Sequence, residues 1–287
     1  MNNFEIFTDS SCDLPAELLK KHNIHVQQLD VTVDGCKPVA NNELNIKEFY
    51  SELRSGKCAK TNAVSMQAFK DTMRPFAEDG KDILYIGFSS GLSATYNNGR
   101  LALDELKEEF PERTLIYADT LAASLGQGMM VVYAAELREK GASIEEVRDF
   151  VNEKRLNICH QFTVDDLFFL KRGGRVNSAT AIVGSMLGIK PILHVDNEGH
   201  LISIDKTRGR KAAITALFKR MKETADLSEF KHVYISHGDC IDDAQILADI
   251  GKEEYGIDEI VINDVGPVIG AHSGPGTLAL FYYGTER

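Results

Sequence analysis

The chain has 287 residues, 43% of them apolar, and a formal net charge of −11. That length supports two domains of ordinary size or one large α/β domain, and the apolar content excludes a disordered chain. The acidic balance excludes a nucleic-acid binder that tracks phosphates with an excess of Lys and Arg.

Short β-rich runs alternate with segments of helical periodicity, the pattern of parallel strands covered by helices. In chain order, Phe4 to Thr8 reads as a strand, Pro15 to His22 as a helix with Pro in its first turn, and Ile24 to Val33 as strand-like. Ile46 to Arg54 and Ser65 to Ala77 read as helices, Asp82 to Phe88 as a buried strand, and Ser93 to Phe110 as a long helix. The strand Thr114 to Ala118 and the helices Ala122 to Lys140 and Ser143 to Leu156 complete one α/β unit.

Beyond residue 157 the strands come in pairs: Ile158 to Val164, Lys190 to Val195 and Leu201 to Lys206, with Asn197-Glu198-Gly199 as a hairpin turn. Strands joined by so short a turn are antiparallel, so this half is expected to hold a mixed sheet. Helix Arg210 to Thr224, strand His232 to Ser236, helix Asp242 to Tyr255, strand Glu259 to Asn263 and strand Thr277 to Tyr283 follow. The expectation is an α/β protein of two domains, a three-layer parallel unit over 1–156 and a mixed-sheet unit over 157–287, with a ligand in the cleft between them.

The five cysteines, at 12, 36, 58, 159 and 240, form no C-x-x-C pair and no Cys/His cluster at zinc spacing, so reduced thiols and no metal are expected. Met1 to Glu5 lacks a basic and an apolar signal region, and no stretch reaches the ~18 to 20 apolar residues of a membrane span. A cytoplasmic protein without an integral span is the expectation.

Five segments collect chemistry. Thr8-Asp9-Ser10-Ser11-Cys12-Asp13-Leu14-Pro15 could bind an anion at a helix start, although capping is the commoner use of such residues. Lys60-Thr61-Asn62-Ala63-Val64-Ser65 is a polar loop before a helix that Ser65 caps. Phe88-Ser89-Ser90-Gly91-Leu92-Ser93-Ala94-Thr95-Tyr96 crowds hydroxyls at a strand-to-helix turn. Phe168 to Arg175 is a basic turn, Lys171-Arg172-Gly173-Gly174-Arg175, followed by a Gly-spaced apolar run over 181–189; Lys206 to Lys211 is a second basic cluster. Each basic segment meets either a phosphate or partner, or only solvent. Last, Gly266-Pro267-Val268-Ile269-Gly270-Ala271-His272-Ser273-Gly274-Pro275-Gly276 holds one imidazole in what reads as a glycine-rich turn.

Gly87-Phe88-Ser89-Ser90-Gly91 also matches the G-x-S-x-G nucleophile elbow, and a serine esterase could draw Asp239 and His272 to Ser89. No His-Gly-Gly oxyanion loop precedes it. No Walker A motif and no Gly-x-Gly-x-x-Gly after a strand is present, so no nucleotide site of its own is expected.

Taken together and in this order, the segments 8–15, 60–61, 89–96, 170–175, 187–193 and 266–276 resemble the DegV family of bacterial fatty-acid-binding proteins from end to end. The resemblance implies a protein that encloses a long-chain fatty acid between two domains and holds its carboxylate with Thr61, Ser93 and His272. It further implies a non-catalytic subunit of a fatty acid kinase system in phospholipid metabolism, presenting the carboxylate to a separate ATP-binding subunit that forms an acyl phosphate. Arg175, Ser90 and Asn62 would then meet the ligand or that partner. The chain departs from the family pattern at Thr61-Asn62-Ala63-Val64-Ser65, at Leu92-Ser93-Ala94-Thr95-Tyr96 and at Ala118-Asp119-Thr120, which bears on chain preference. Another amphipathic ligand on the same fold is the third reading.

The physics of such a site is favourable. Burying about 14 methylenes at ~0.8 kcal/mol each gives roughly 11 kcal/mol of gross driving force before the entropic costs of association. The carboxylate must find donors as it leaves water, and two hydroxyls and an imidazole are expected to supply them without a permanent cation in the core.

Overall fold

The computed structural model describes residues 4–176, 188–226, 228, 232–257 and 259–287. The Gly-spaced run over 181–189 therefore lies outside the described residues as far as position 187.

Four strands, β1 (Phe4–Asp9), β2 (Ile24–Gln27), β6 (Asp82–Gly87) and β7 (Leu115–Asp119), pair in parallel in the order β2-β1-β6-β7. Successive side chains leave a strand on opposite faces, and the core divides accordingly. Phe4, Ile6, Leu84 and Ile86 join one buried cluster, whereas Phe7, Ile83 and Tyr85 join another. Helices α3 (Met66–Glu78) and α4 (Thr95–Glu109) cover the second face with α2 (Ile46–Arg54) nearby; α5 (Leu125–Glu139) and α6 (Ile144–Lys154) cover the first.

The second large sheet has the order β10-β9-β8-β13-β11-β12, built from β8 (Ile158–Thr163), β9 (Ile189–Val195), β10 (Leu201–Arg208), β11 (Val233–His237), β12 (Ile260–Asp264) and β13 (Leu278–Tyr283). Only β11 and β12 run parallel, so the sheet is mixed as the hairpin turn implies. Ala279, Phe281 and Tyr283 of β13 face α5, while Leu278, Leu280 and Tyr282 face helices Arg210–Thr224 and Ile241–Tyr255. Helix α5 is thus shared between the two sheets, which explains why eleven consecutive residues, Leu125 to Ala135, are buried in it.

Three expectations are corrected. The strand-like run 24–33 is two strands in two sheets: β2 ends at Gln27, and β3 (Asp30–Val33) belongs to a small antiparallel sheet of order β4-β3-β5. The polar loop at Lys60 contains β5 (Ala59–Asn62), which pairs with one edge of β3, while β4 (Val39–Ala40) pairs with the other edge of β3. The glycine-rich turn contains a helix, Pro267–Ser273, with Pro at its first position after Gly266. This helix crosses back from the mixed sheet and packs Val268 and Ala271 among residues of the small sheet and α2.

The segment after β1 does the capping that serines and aspartates commonly do. Ser10–Cys12 form a short 3-10 turn, Asp9 accepts from the Ser11 and Phe88 N–H groups, and Ser10 Oγ accepts from Leu29 N–H.

Candidate functional site

A cleft lies between the two large sheets, enclosing about 750 Å³ of space outside the atoms, its open mouth included. Its walls are mostly apolar: Phe88, Leu92 and Ala123 on one side, Phe162, Ala279 and Phe281 on the sheet floor, and Val268 and Ile269 from the 267–273 helix. Four of the sequence-identified residues, Thr61, Ser93, Arg175 and His272, line the same cleft. Asn62 and Ser90 are exposed and do not line it.

Each of the four is positioned by a different element. Thr61 stands opposite Val31 in the pairing of β5 with β3. His272 occupies the last turn of its helix, and its Nε2 shares a 2.8 Å hydrogen bond with Thr61 Oγ1 across 211 positions of sequence. The His272 Nδ1 is enclosed without a partner among the described residues, and a side chain at Gly173 would meet it, since an added Cβ there would lie at 2.3 Å. Glycine at 173 therefore leaves room for the imidazole. Ser93 sits in the turn before α4, where its Oγ lies 2.9 Å from Thr95 Oγ1 and accepts from Thr95 N–H.

Arg175 follows the short helix α7 (Phe168–Arg172), held by its own Nε on Leu92 O at 3.1 Å and by Nη1 on Gly173 O. The head of the cleft therefore does contain a cation, contrary to the expectation from the hydroxyls and imidazole alone. Burial lowers the Arg175 pKa from its ordinary value, and a guanidinium stays charged through such a shift. Burial first, then the charges of Arg175 and Arg172, pushes the His272 pKa down to about 4, so the ring is neutral at pH 7.

Outside this point a second recess opens, lined by Cys58, Lys60, Thr61, Arg172, Arg175 and His272. Arg172 stacks on Phe169 at 4.8 Å and donates to Cys58 Sγ at 3.0 Å; Lys171 lies over Phe168 at 5.6 Å. The basic turn is thus partly tied down, with its cations beside the polar end of an apolar cleft. The other basic segment is occupied differently: Arg210 pairs with Asp243 at 2.8 Å and approaches Asp165 at 3.6 Å.

The esterase constellation is not assembled. Ser89 is fully buried and its Oγ donates to Gly199 O at 2.8 Å, fastening the β9–β10 hairpin to the turn after β6. Asp239 pairs with Arg54, and His272 is engaged by Thr61. Among the described residues no cluster of His, Cys, Asp and Glu is arranged to hold a metal, and no helix is long and apolar enough to cross a membrane.

Sequence reasoning missed five polar residues of the cleft: Ser124, His160, Ser236, Ser273 and Thr277. Ser273 is buried with its hydroxyl unpartnered, one position beyond His272. His160 is kept neutral chiefly by burial, which pulls its pKa well below the ordinary value. The only local signal was in the Ala122-Ala123-Ser124 turn, where a serine precedes a helix and reads as an ordinary cap.

A family model described as an uncharacterised protein family, DegV, matches residues 3–285. A DegV domain-containing protein of Clostridium perfringens is 41% identical over 289 residues, covering 100% of this chain and 99% of the relative. Among solved structures, a DegV family protein from Thermus thermophilus, described for its fatty acid binding, superposes with a TM-score of 0.86 at 32% identity, covering 98% of this chain and 99% of that one. DegV of Bacillus subtilis, described as a fatty acid binding protein, gives 0.85 at 28% identity, covering 99% of this chain and 100% of the other.

Proposed function

This chain belongs to the DegV family, and from that premise we propose that it encloses a long-chain fatty acid, gripping the carboxylate with Thr61, Ser93, His272 and Arg175. One observation carries the reading: Thr61, Ser93, Arg175 and His272 line one mostly apolar cleft, and Thr61, Arg175 and His272 also line an adjoining basic recess. The neutral His272, in the tautomer that carries its proton on Nε2, donates to Thr61 Oγ1 and so turns the Thr61 proton toward the acid. Thr95 N–H donates to Ser93 Oγ, and with Thr95 Oγ1 as the donor of the 2.9 Å hydroxyl contact the Ser93 proton is left for the acid. The remaining Arg175 nitrogen, Nη2, offsets the buried charge, which would otherwise cost several kcal/mol.

The protein itself performs no chemistry in this reading. It presents the carboxylate oxygen at the basic recess, where a separate ATP-binding kinase subunit transfers a phosphoryl group to it and forms an acyl phosphate. Lys60, Arg172 and Arg175 supply the positive field that phosphoryl transfer to an anion requires. The observation of these cations beside the carboxylate-binding groups supports presentation over simple storage.

Denaturing extraction and mass spectrometry of the purified protein test the binding. The expected result is about one fatty acid per chain, and loss of at least ten-fold in affinity for Thr61→Val with an unchanged melting profile of lipid-free protein. A lipid-free protein that takes up no fatty acid would refute the reading. Radiolabel transfer from ATP to bound fatty acid in the presence of a kinase subunit, abolished by His272→Ala, tests the presentation.

A further inference from the structure

The cleft wall also holds a second polar centre, apart from the groups assigned to the carboxylate. Ser124 Oγ donates to the buried carboxylate of Asp13 at 2.6 Å and lies 3.1 Å from Ser236 Oγ. Both serines line the cleft. A hydroxyl has one proton, and the shorter contact to Asp13 claims that of Ser124. Ser236 Oγ faces Ser124 as an acceptor, so no bond among the described residues takes the Ser236 proton, and it can turn to a ligand oxygen at little cost.

The backbone is strained to hold this arrangement. Ser124 has φ 52° and ψ −143°, a region that residues with a side chain rarely occupy. Helix α5 could begin without it, because Ser124 makes no side-chain cap bond. What the strained conformation does secure is the aim of the hydroxyl at Asp13 and Ser236.

Position separates this centre from the head group. Asp13 also accepts the N–H of Gly266 at 3.0 Å, at the start of the helix whose last turn carries His272. Six residues at ~1.5 Å each put about 9 Å of helix between the two. An extended chain advances about 1.2 Å per backbone bond, so about eight carbon–carbon bonds bridge that distance, and more where the path is oblique. The chemistry is separated as well. A second carboxylate is disfavoured beside Asp13 by like-charge repulsion, while a neutral hydroxyl can accept from Ser236 and donate to its oxygen.

We propose that Ser236, oriented by Ser124 and Asp13, binds an oxygen carried in the middle of the acyl chain, so that the preferred ligand class is a long-chain fatty acid hydroxylated about eight to twelve carbons from its carboxyl. The proposal rests on the acyl-binding reading above and narrows its ligand. Competition binding of 8-, 10- and 12-hydroxyoctadecanoic acids against octadecanoic acid, on delipidated wild-type protein, tests it directly. At least one hydroxylated acid binds five- to ten-fold more tightly than octadecanoic acid, the worth of one net hydrogen bond, and that ratio falls to near one in Ser236→Ala. Octadecanoic acid binding as well as all three, or a preference that survives Ser236→Ala, overturns it. Failure of every acid to bind overturns the acyl-binding reading and this proposal with it, whereas tight binding of octadecanoic acid alone overturns only the proposal.

Discussion

Replacing Asp13 with Asn tests the energetics of the bond between the cleft and the 267–273 helix. Asp13 is buried, and desolvation pushes its pKa from 3.8 up to about 7 despite the bonds from Ser124 and Gly266. The folded pKa is raised, so the contribution of this group to stability is fully present below pH 3.8 and is lost as pH rises through about 7. Summed over both titrations, wild-type stability falls by about 2 to 3 kcal/mol between about pH 5 and about pH 8.5 on account of this side chain alone. Asn keeps the acceptor for Gly266, can donate its amide to Ser124 Oγ, and tolerates the φ of 51° at this position. Asp13→Asn is therefore expected to gain about 2 to 3 kcal/mol on the wild type over that pH interval. Urea unfolding of both proteins at the two pH values, with m held equal, measures the change in the gap. A gap that stays constant or narrows as pH rises would refute the assigned cost of the buried carboxylate.

Gly126→Ala forces a Cβ to within 2.3 Å of Nε2 of His160, a buried ring hydrogen-bonded to Ile158 O and Ala123 N–H. Overpacking of this kind costs about 1–3 kcal/mol, read as a lower urea midpoint, and an unshifted midpoint would show that the ring moves freely. Fluorophosphonate is expected to leave Ser89 unmodified, because its hydroxyl is buried and bound to Gly199; a labelled peptide containing Ser89 would restore the esterase reading.

Where alternation and periodicity were strong, the fold was legible. The run Asp82-Ile83-Leu84-Tyr85-Ile86-Gly87 is a strand buried on both faces, and Arg210 to Thr224 is helical over the whole span read from the sequence. The elements that build the polar end of the cleft were not legible. Ala59–Asn62 is short, polar and half exposed, so hydrogen bonding to β3 makes it a strand and no apolar pattern announces it. In the 267–273 helix, glycines at 266, 270 and 274 hid a helix whose one clear signal was Pro267 in the first turn. Motif resemblance brought Thr61, Ser93 and His272 together without those elements, and they do line one cleft. The hydroxyls of Ser124 and Ser236 stand 112 positions apart and adjoin only because α5 is shared between two sheets, which no local pattern encodes.

The order of strands in the mixed sheet has a consequence for biosynthesis. β13 is the last strand in sequence yet lies in the middle, bonded to β8 on one side and β11 on the other. While residues 278–283 are still inside the ribosome, the nascent chain holds two separate sheet fragments with open inner edges. Such edges invite pairing with other chains. The cleft floor, where Ala279 and Phe281 lie, is completed by the same late event, so the cleft cannot close around any ligand before translation has passed this strand.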